Sequence, residues 1–379
     1  MKTYKHLFEQ LVSTENISRA IWRASHGKQK RRDVKYVLEN RIYYVRAIQY
    51  MLRRQMWQPR LHDAVEINDG VLLKKRVIVK PDFIYEQIMH HALVQVLKPL
   101  FVRSMYAHSC GSVPKRGGVY GKKHLSKWIH RHPAYAKYCA KGDIRHFFQS
   151  VSMERVKEKL ASKIKDKRFL WVLFQAISNC HARFKGQLIY MGLCIGYYTS
   201  QWLANWFLQD MDYFVKQRLF IRCYYRYVDD FVMVDNNKRK LHNAIRAVRA
   251  WLVRAGLELK NNWQVFKLAF LPPKINGVRL LPFIGRAIDF MGFVFYRNKT
   301  VLRRNIFYRA CNKARRVASA TTPNWYISTQ LLCYLGWFKH SDTFTALKER
   351  VTNLVNVAKL KKLVSAHQLK LNKEASAVC

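Results

Sequence analysis

Residues 223–234 read CYYRYVDDFVMV and set two adjacent carboxylates, Asp229 and Asp230, between two apolar runs. The β-branched and aromatic residues on either side read as strand, two-residue turn, strand. Such runs bury the middle of the stretch, so any fold of this chain must place two like charges side by side at the tip of a largely buried hairpin. Local pattern leaves two readings. Asp-Asp is good turn chemistry; alternatively, the doublet is a site.

Charge sharpens the question. The 379 residues carry 69 Lys and Arg against 23 Asp and Glu, a formal net charge of +46. Half of the residues are hydrophobic and 14% are aromatic, which argues for a folded chain of two or three packed units rather than a disordered basic tail. Cations spread over a folded chain imply a large polyanionic partner. Nucleic acid is the first choice; anionic membrane is second, and no isolated basic amphipathic helix favours it. In such a setting a carboxylate weakens polyanion binding unless it holds a metal.

Eight cysteines, at positions 110, 139, 180, 194, 223, 311, 333 and 379, include no CxxC pair. Neither a zinc knuckle nor a redox motif is supported, and the thiols are expected to be reduced and mostly buried, in a cytosolic compartment. The start, MKTYKHLFEQL, has no apolar h-region, so no signal peptide is expected. Residues 188–209 are uncharged, but they contain two glycines, Thr199, Ser200, Gln201 and Asn205. A loop entering a buried helix suits them better than a membrane span.

Along the chain, residues 1–62 are basic and read as helical, with YVLENRIYYVRAIQYMLRRQMW keeping one apolar face. AVEINDGVLLKKRVIVKP reads as a hairpin turning at Asn68-Asp69-Gly70, its second strand bearing Lys74, Lys75 and Arg76. DFIYEQIMHHALVQVLKPLF reads as an amphipathic helix, and a Gly- and Lys-rich loop follows it. YCAKGDIRHFFQSVS gives a strand with Asp143 near its end, and helices continue to about residue 180. After the Asp-Asp hairpin come a basic helix closed by Gly256, the strand pair AIDFMGFVFYRNKTVL, and a basic helical unit from residue 297 holding 16 Lys and Arg against 3 acids. Strands and helices mix without a regular βαβ period, which favours an α+β fold.

If the strand ending at Asp143 neighbours the hairpin carrying Asp229 and Asp230, three carboxylates converge. Uncompensated, they would repel strongly in a partly buried site. Two divalent cations about 3.5–4 Å apart resolve this and clamp the attacking and leaving oxygens of an in-line phosphoryl displacement. Magnesium suits oxygen ligands of this kind, with manganese as a substitute.

These residues resemble the reverse transcriptases. YVDD at 227–230 is similar to their YxDD box, KGDIRHFF to motif A, and MGLCIGYYTSQWLAN to the fourth block of the prokaryotic enzymes. LELK, ending at Lys260, resembles the motif whose lysine protonates leaving pyrophosphate, and IDFMGF, with Met291 and Gly292, the primer grip. STENISRAIWRASHGKQKRRDV and YAHSCGSVPKRGG resemble amino-terminal blocks of the same group, so the similarity runs in order over roughly residues 5–345. Cys194 stands where the fourth block usually has proline (Gly-x-Pro-x-Gly), and the Val-Thr-Gly signature of retron enzymes is absent.

The resemblance implies a right-hand polymerase. Residues 1–137 would form the basic amino-terminal region and fingers, 138–296 the palm (with a helical fingers insertion at about 152–187), and 297–379 a helical thumb and tail. Asp143, Asp229 and Asp230 would bind two magnesium ions, with the backbone of Ile144 on the second. Lys74 and Arg76 would meet the incoming triphosphate, Phe148 would exclude a 2′-hydroxyl, Gln201 would line the nucleotide pocket, and Lys260 would serve as the acid. The implied activity is RNA-directed DNA synthesis from dNTPs, making cDNA on a dedicated structured non-coding RNA in a prokaryotic cytoplasm. A small basic accessory protein is a candidate partner. The wording of GYYTSQWLAN, NNWQVFK and DFMGFVFYRN most resembles diversity-generating retroelements. The alternatives are an anti-phage defence enzyme copying a companion RNA, a non-catalytic RNA-binding scaffold, and a nucleotidyltransferase without a template.

Overall fold

The computed structural model describes residues 3–69, 74–178, 180–270 and 284–376. It opens with four helices, α1 (Leu7–Val12), α2 (Thr14–Ser25), α3 (Arg32–Glu39) and α4 (Arg41–Arg53). Ser13 caps α2 by accepting from the Asn16 amide, as an N-cap serine should. The helical stretch from Tyr36 is divided between α3 and α4, because Asn40 leaves helical geometry and its side chain donates back to the Tyr36 carbonyl at 2.9 Å.

Strands β1 (Ala64–Asp69) and β2 (Lys74–Val79) pair antiparallel, Asp69 opposite Lys74. Asn68 and Asp69 are therefore ladder residues, not the turn; Gly70, the third residue of the expected turn, lies outside the described residues. The helix expected from residue 82 begins later, as α5 (Ile88–Ser104), since Ile84 and Tyr85 leave helical geometry and Tyr85 has φ 67°. It is not amphipathic. It is buried on almost every side, with His90, Leu93, Val94 and Leu97 all enclosed. Helix α6 (Gly118–Arg131) follows the Gly- and Lys-rich loop.

The chemistry-bearing element is a four-stranded antiparallel sheet in the order β6-β7-β3-β8, built from β3 (Tyr138–Asp143), β6 (Cys223–Tyr227), β7 (Asp230–Asp235) and β8 (Gln264–Lys267). Period-two alternation sends its residues into two cores. Ala140, Tyr224, Phe231 and Met233 join the core covered by α12 (Lys238–Arg254). Cys139, Cys223, Val232 and Val234 face the other core, with Leu125 and Ile129 of α6 and Phe290, Phe293 and Phe295. Gly142 lies opposite Phe231 in the ladder, and a Cβ there would run into the Phe231 ring. That steric demand explains the glycine of KGD.

Between β3 and β6 run α7 (Phe147–Ser150), α8 (Met153–Lys163), α9 (Lys167–Ser178), the hairpin β4–β5 (His181–Phe184 and Gln187–Tyr190), α10 (Tyr198–Phe207) and α11 (Gln209–Tyr213). The uncharged segment thus supplies a strand, a loop and the buried helix α10, and no described helix is long and apolar enough to cross a membrane. Beyond β8, strands β9 (Ile288–Phe290), β10 (Phe293–Phe295) and β11 (Thr300–Leu302) form a second sheet. Helices α13 (Arg304–Ala318), α14 (Trp325–Phe338), α15 (Phe344–Leu347) and α16 (Val357–Ser376) complete the basic end. Of the described cysteines, five are buried, Cys180 is half-buried and Cys333 is exposed.

Candidate active site

Asp143 ends β3 and Asp230 begins β7, directly opposite one another in the ladder. Because side chains alternate, Lys141, Asp143 and Asp230 share one face of the sheet. Asp229 occupies the two-residue turn with Val228, so the doublet divides between turn and strand. The Asp229 carbonyl accepts from the Ile144 amide at 3.3 Å, which ties the hairpin tip to the residue following Asp143. The sequence-predicted carboxylates are thereby brought together, with Ile144 beneath them.

Two lysines answer this charge. Lys260 donates to Asp143 Oδ2 at 2.7 Å, and its amide donates to the Asp143 carbonyl at 2.9 Å. Lys141 approaches Asp230 Oδ2 at 3.4 Å and also donates to the Asp289 carbonyl of β9 at 2.6 Å. Burial pushes the Asp230 carboxyl up to about 6; Lys141 opposes the rise and Asp143 adds to it. Asp229 is also raised, by burial first and then by Asp143, against the pull of Lys260 and Arg76. Its coupling to Arg76 places the β2 cation within electrostatic reach of the turn, while the Arg76 side chain is exposed. Lys74 begins β2, two residues earlier.

The inner oxygens are incompletely answered. Asp143 Oδ1 and Asp230 Oδ1 are buried and have no hydrogen-bond partner. A buried anionic oxygen without a partner is costly, and hard cations take such oxygens as ligands, so this donor set fits a divalent ion. As the side chains stand, no described group of three His, Cys, Asp or Glu is gathered closely enough to hold one.

The remaining predicted residues are arranged by backbone docking. The Phe148 carbonyl accepts from the Leu193 amide at 2.8 Å, and Gly192 has φ 57° where a side chain would strike that carbonyl. Three residues beyond Gly192, the Ile195 carbonyl accepts from the Val79 amide of β2 at 2.9 Å, and Gly196, with φ 120°, has no room for a Cβ against Val79. The two glycines hold the loop at these close approaches; Cys194 between them is buried, and burial pushes its thiol up to about 12. This loop links half-buried Phe148 to α10, where exposed Gln201 borders a cavity of about 530 Å³ shared with Lys80, His91 and Tyr198. Met291 and Gly292, with φ 53° and 84°, form the β9–β10 turn beside α6 and Trp337.

Sequence reasoning missed Lys141 and a polar network behind the hairpin. Arg226 is fully buried, and all five of its N–H groups are matched. Nε and Nη2 donate to Asp212 at 2.7 and 2.6 Å, Nη1 to Asn205 Oδ1 and the Val228 carbonyl at 3.1 and 2.8 Å, and Nη2 to the Asn205 carbonyl at 3.2 Å. Tyr224 donates to Asp212, and Asn205 to the Gly111 carbonyl, both at 2.8 Å. Val228 has φ 59°, a costly conformation for a β-branched residue, and a Cβ on Gly111 would collide with it. The available signal was the inward parity of Arg226 with Tyr224 in an otherwise apolar run.

An antiparallel sheet presenting a carboxylate at one strand end opposite an acidic hairpin tip, edged by basic helices, defines a polymerase. The chain belongs to the reverse transcriptase (RNA-dependent DNA polymerase) family, which it matches over residues 69–295, more than half of its length. It is an RNA-directed DNA polymerase, a nucleotidyltransferase. A search of curated proteins finds no match to it.

Proposed function

We propose that this polymerase copies a dedicated, structured non-coding RNA into cDNA, in the manner of a diversity-generating retroelement. The observation that carries the chemical part is the pair of buried, unpartnered oxygens on Asp143 and Asp230, one on each of two paired strands. Asp143, Asp229 and Asp230, with the Ile144 carbonyl, would hold two magnesium ions, which when bound neutralise the carboxylates and stabilise charge developing on the transferred phosphoryl group. On this reading the fingers carry Arg76 and Lys74 toward the triphosphate, Phe148 supports the sugar, and Gln201 borders the base. Lys260 shifts from Asp143 toward the leaving pyrophosphate and delivers its proton there. Met291 and Gly292 hold the primer end, and the helices after residue 303 serve as thumb.

The excess of cations at both ends supports an RNA held outside the cleft: residues 1–62 carry 14 Lys and Arg against 4 acids, and residues 297–379 carry 16 against 3. Such binding is read through phosphates and shape. Asp143→Asn and Asp229→Asn tests the chemistry; each variant is expected to lose magnesium-dependent DNA synthesis while retaining RNA binding, and wild-type synthesis by either overturns the assignment. Filter binding of the companion RNA and a scrambled RNA of equal length, at two salt concentrations, tests the partner. Equal affinity at physiological salt leaves only general polyanion binding.

A further inference from the structure

On the amino-terminal helices, tyrosine and arginine alternate along one stripe. The apolar side of α4 is buried through Tyr44, Val45, Ile48 and Leu52. Opposite it, Tyr43, Arg46, Tyr50 and Arg53 recur at intervals of three, four and three residues and are all exposed. At 100° per residue they fall within about 80° of arc, with about 10.5 Å between the two tyrosines. Tyr43 and Tyr50 are 65% and 58% exposed. Tyr36 of α3, 58% exposed, extends the stripe, since Tyr36 and Tyr43 both stand edge-on to Tyr44, at 6.3 and 5.3 Å. Arg54 lies 5.8 Å from the centre of the Tyr50 ring. No acidic residue occurs in α4. It packs mainly on α2, α1 and α3, and the Arg53 carbonyl accepts from Arg168 of α9 at 3.3 Å.

A folded protein does not usually leave a row of aromatic rings in water without a partner. Here the rings are spaced by cations, so the complementary ligand is anionic and has flat faces of its own. We propose that the Tyr36–Tyr43–Tyr50 stripe is a second RNA-binding site, outside the cleft, that stacks unpaired bases on its tyrosines and holds the intervening phosphates with Arg46 and Arg53. A duplex hides its bases and gains nothing from the rings, whereas single-stranded RNA offers faces to stack and phosphates to pair. The inference rests on the reading above that RNA is held outside the cleft, and it names the surface and the unpaired character of the RNA.

The test uses the full chain with its cleft filled by a template–primer duplex, and a fluorescent 20-nucleotide oligoadenylate as probe, followed by anisotropy. Tyr43→Ala/Tyr50→Ala is expected to weaken probe binding about 30-fold, two stacks being lost, with the salt slope unchanged. Tyr43→Phe/Tyr50→Phe keeps the rings and should bind like wild type. Arg46→Gln/Arg53→Gln should lower the salt slope by about 1.4, two phosphate contacts on a single strand. All three should extend primers at the wild-type rate. Alanine variants that bind the probe within two-fold of wild type overturn the proposal, as does a change in sedimentation without a change in probe binding, which would make the stripe a protein interface. Loss of preference for the companion RNA with oligoadenylate binding intact sinks the functional reading alone.

Discussion

Arg226 Nη1 donates to the carbonyl of Val228 at 2.8 Å, reaching from a buried ion pair to the strained residue just before Asp229. The same guanidinium grips Asp212 with two bonds, so the hairpin tip is braced from behind. Removing one partner of a buried pair strands the other charge and costs about 3–5 kcal/mol. Arg226→Gln is therefore expected to lower the unfolding free energy by that order, read by denaturant titration. Arg226→Lys keeps the charge but cannot fill the five-donor fork; its kcat should fall at least ten-fold while the KM for dNTP stays within about two-fold. A lysine variant with wild-type kcat would show that the network only stabilises the core.

Asp230 predicts a trade between stability and activity. Its folded carboxyl titrates near 6, above the usual carboxylate range, chiefly through burial. The folded state then binds a proton more tightly than the unfolded state, so stability falls as pH rises from about 4 to about 6, and the cost is present in full above that window. Asp230→Asn removes it. The variant should melt higher than wild type at pH 7.5 in chelator, by on the order of 1–3 kcal/mol, with the difference closing toward pH 4, while DNA synthesis is lost. A variant less stable than wild type at pH 7.5 contradicts the burial argument.

The sequence exposed the carboxylates because their local signals are strong: an acidic doublet between apolar runs, and an aspartate at the end of a strand. The α+β class followed from irregular alternation of elements, and the basic ends from composition. What escaped it depends on long-range geometry. Lys141 is an ordinary strand lysine until the ladder sets Asp143 opposite Asp230. Arg226 finds Asp212 fourteen residues earlier only once α11 packs behind β6. The hairpin turn was placed too early because Asn68 and Asp69 are good turn formers, yet the ladder continues through both. Tyr85, in a left-handed conformation, delayed a helix that the apolar pattern began at residue 82.

Lys260 and Asp143 form the second charged contact of the site, at 2.7 Å. The same ammonium pulls the Asp229 carboxyl down against burial. Lys260→Met removes that pull, so Asp229 should require a higher pH to ionise, and the acid limb of the kcat profile should move upward. If the lysine also supplies the proton to pyrophosphate, the basic limb should flatten in the same variant. A profile identical in shape to wild type and merely scaled down would leave Lys260 a structural contact.

Phe148 tests nucleotide choice. Its carbonyl is held by the Leu193 amide, and Gly192 lets the loop approach it closely, so the backbone at 148 is fixed whatever the side chain. The ring is half-buried, with Phe147 beside it at 5.5 Å. Shortening it to alanine should open space beneath the sugar without moving the loop, at a cost below the 3–5 kcal/mol typical of a fully buried phenylalanine. If the ring faces the 2′ position, Phe148→Ala should raise kcat/KM for ribonucleotides relative to deoxynucleotides by at least ten-fold, since relieving a steric clash favours only the substrate that clashed. Single-nucleotide incorporation with matched dNTP and rNTP measures the ratio. An active variant with an unchanged ratio would assign Phe148 to core packing and place sugar selection elsewhere in the loop between Gly192 and Gln201.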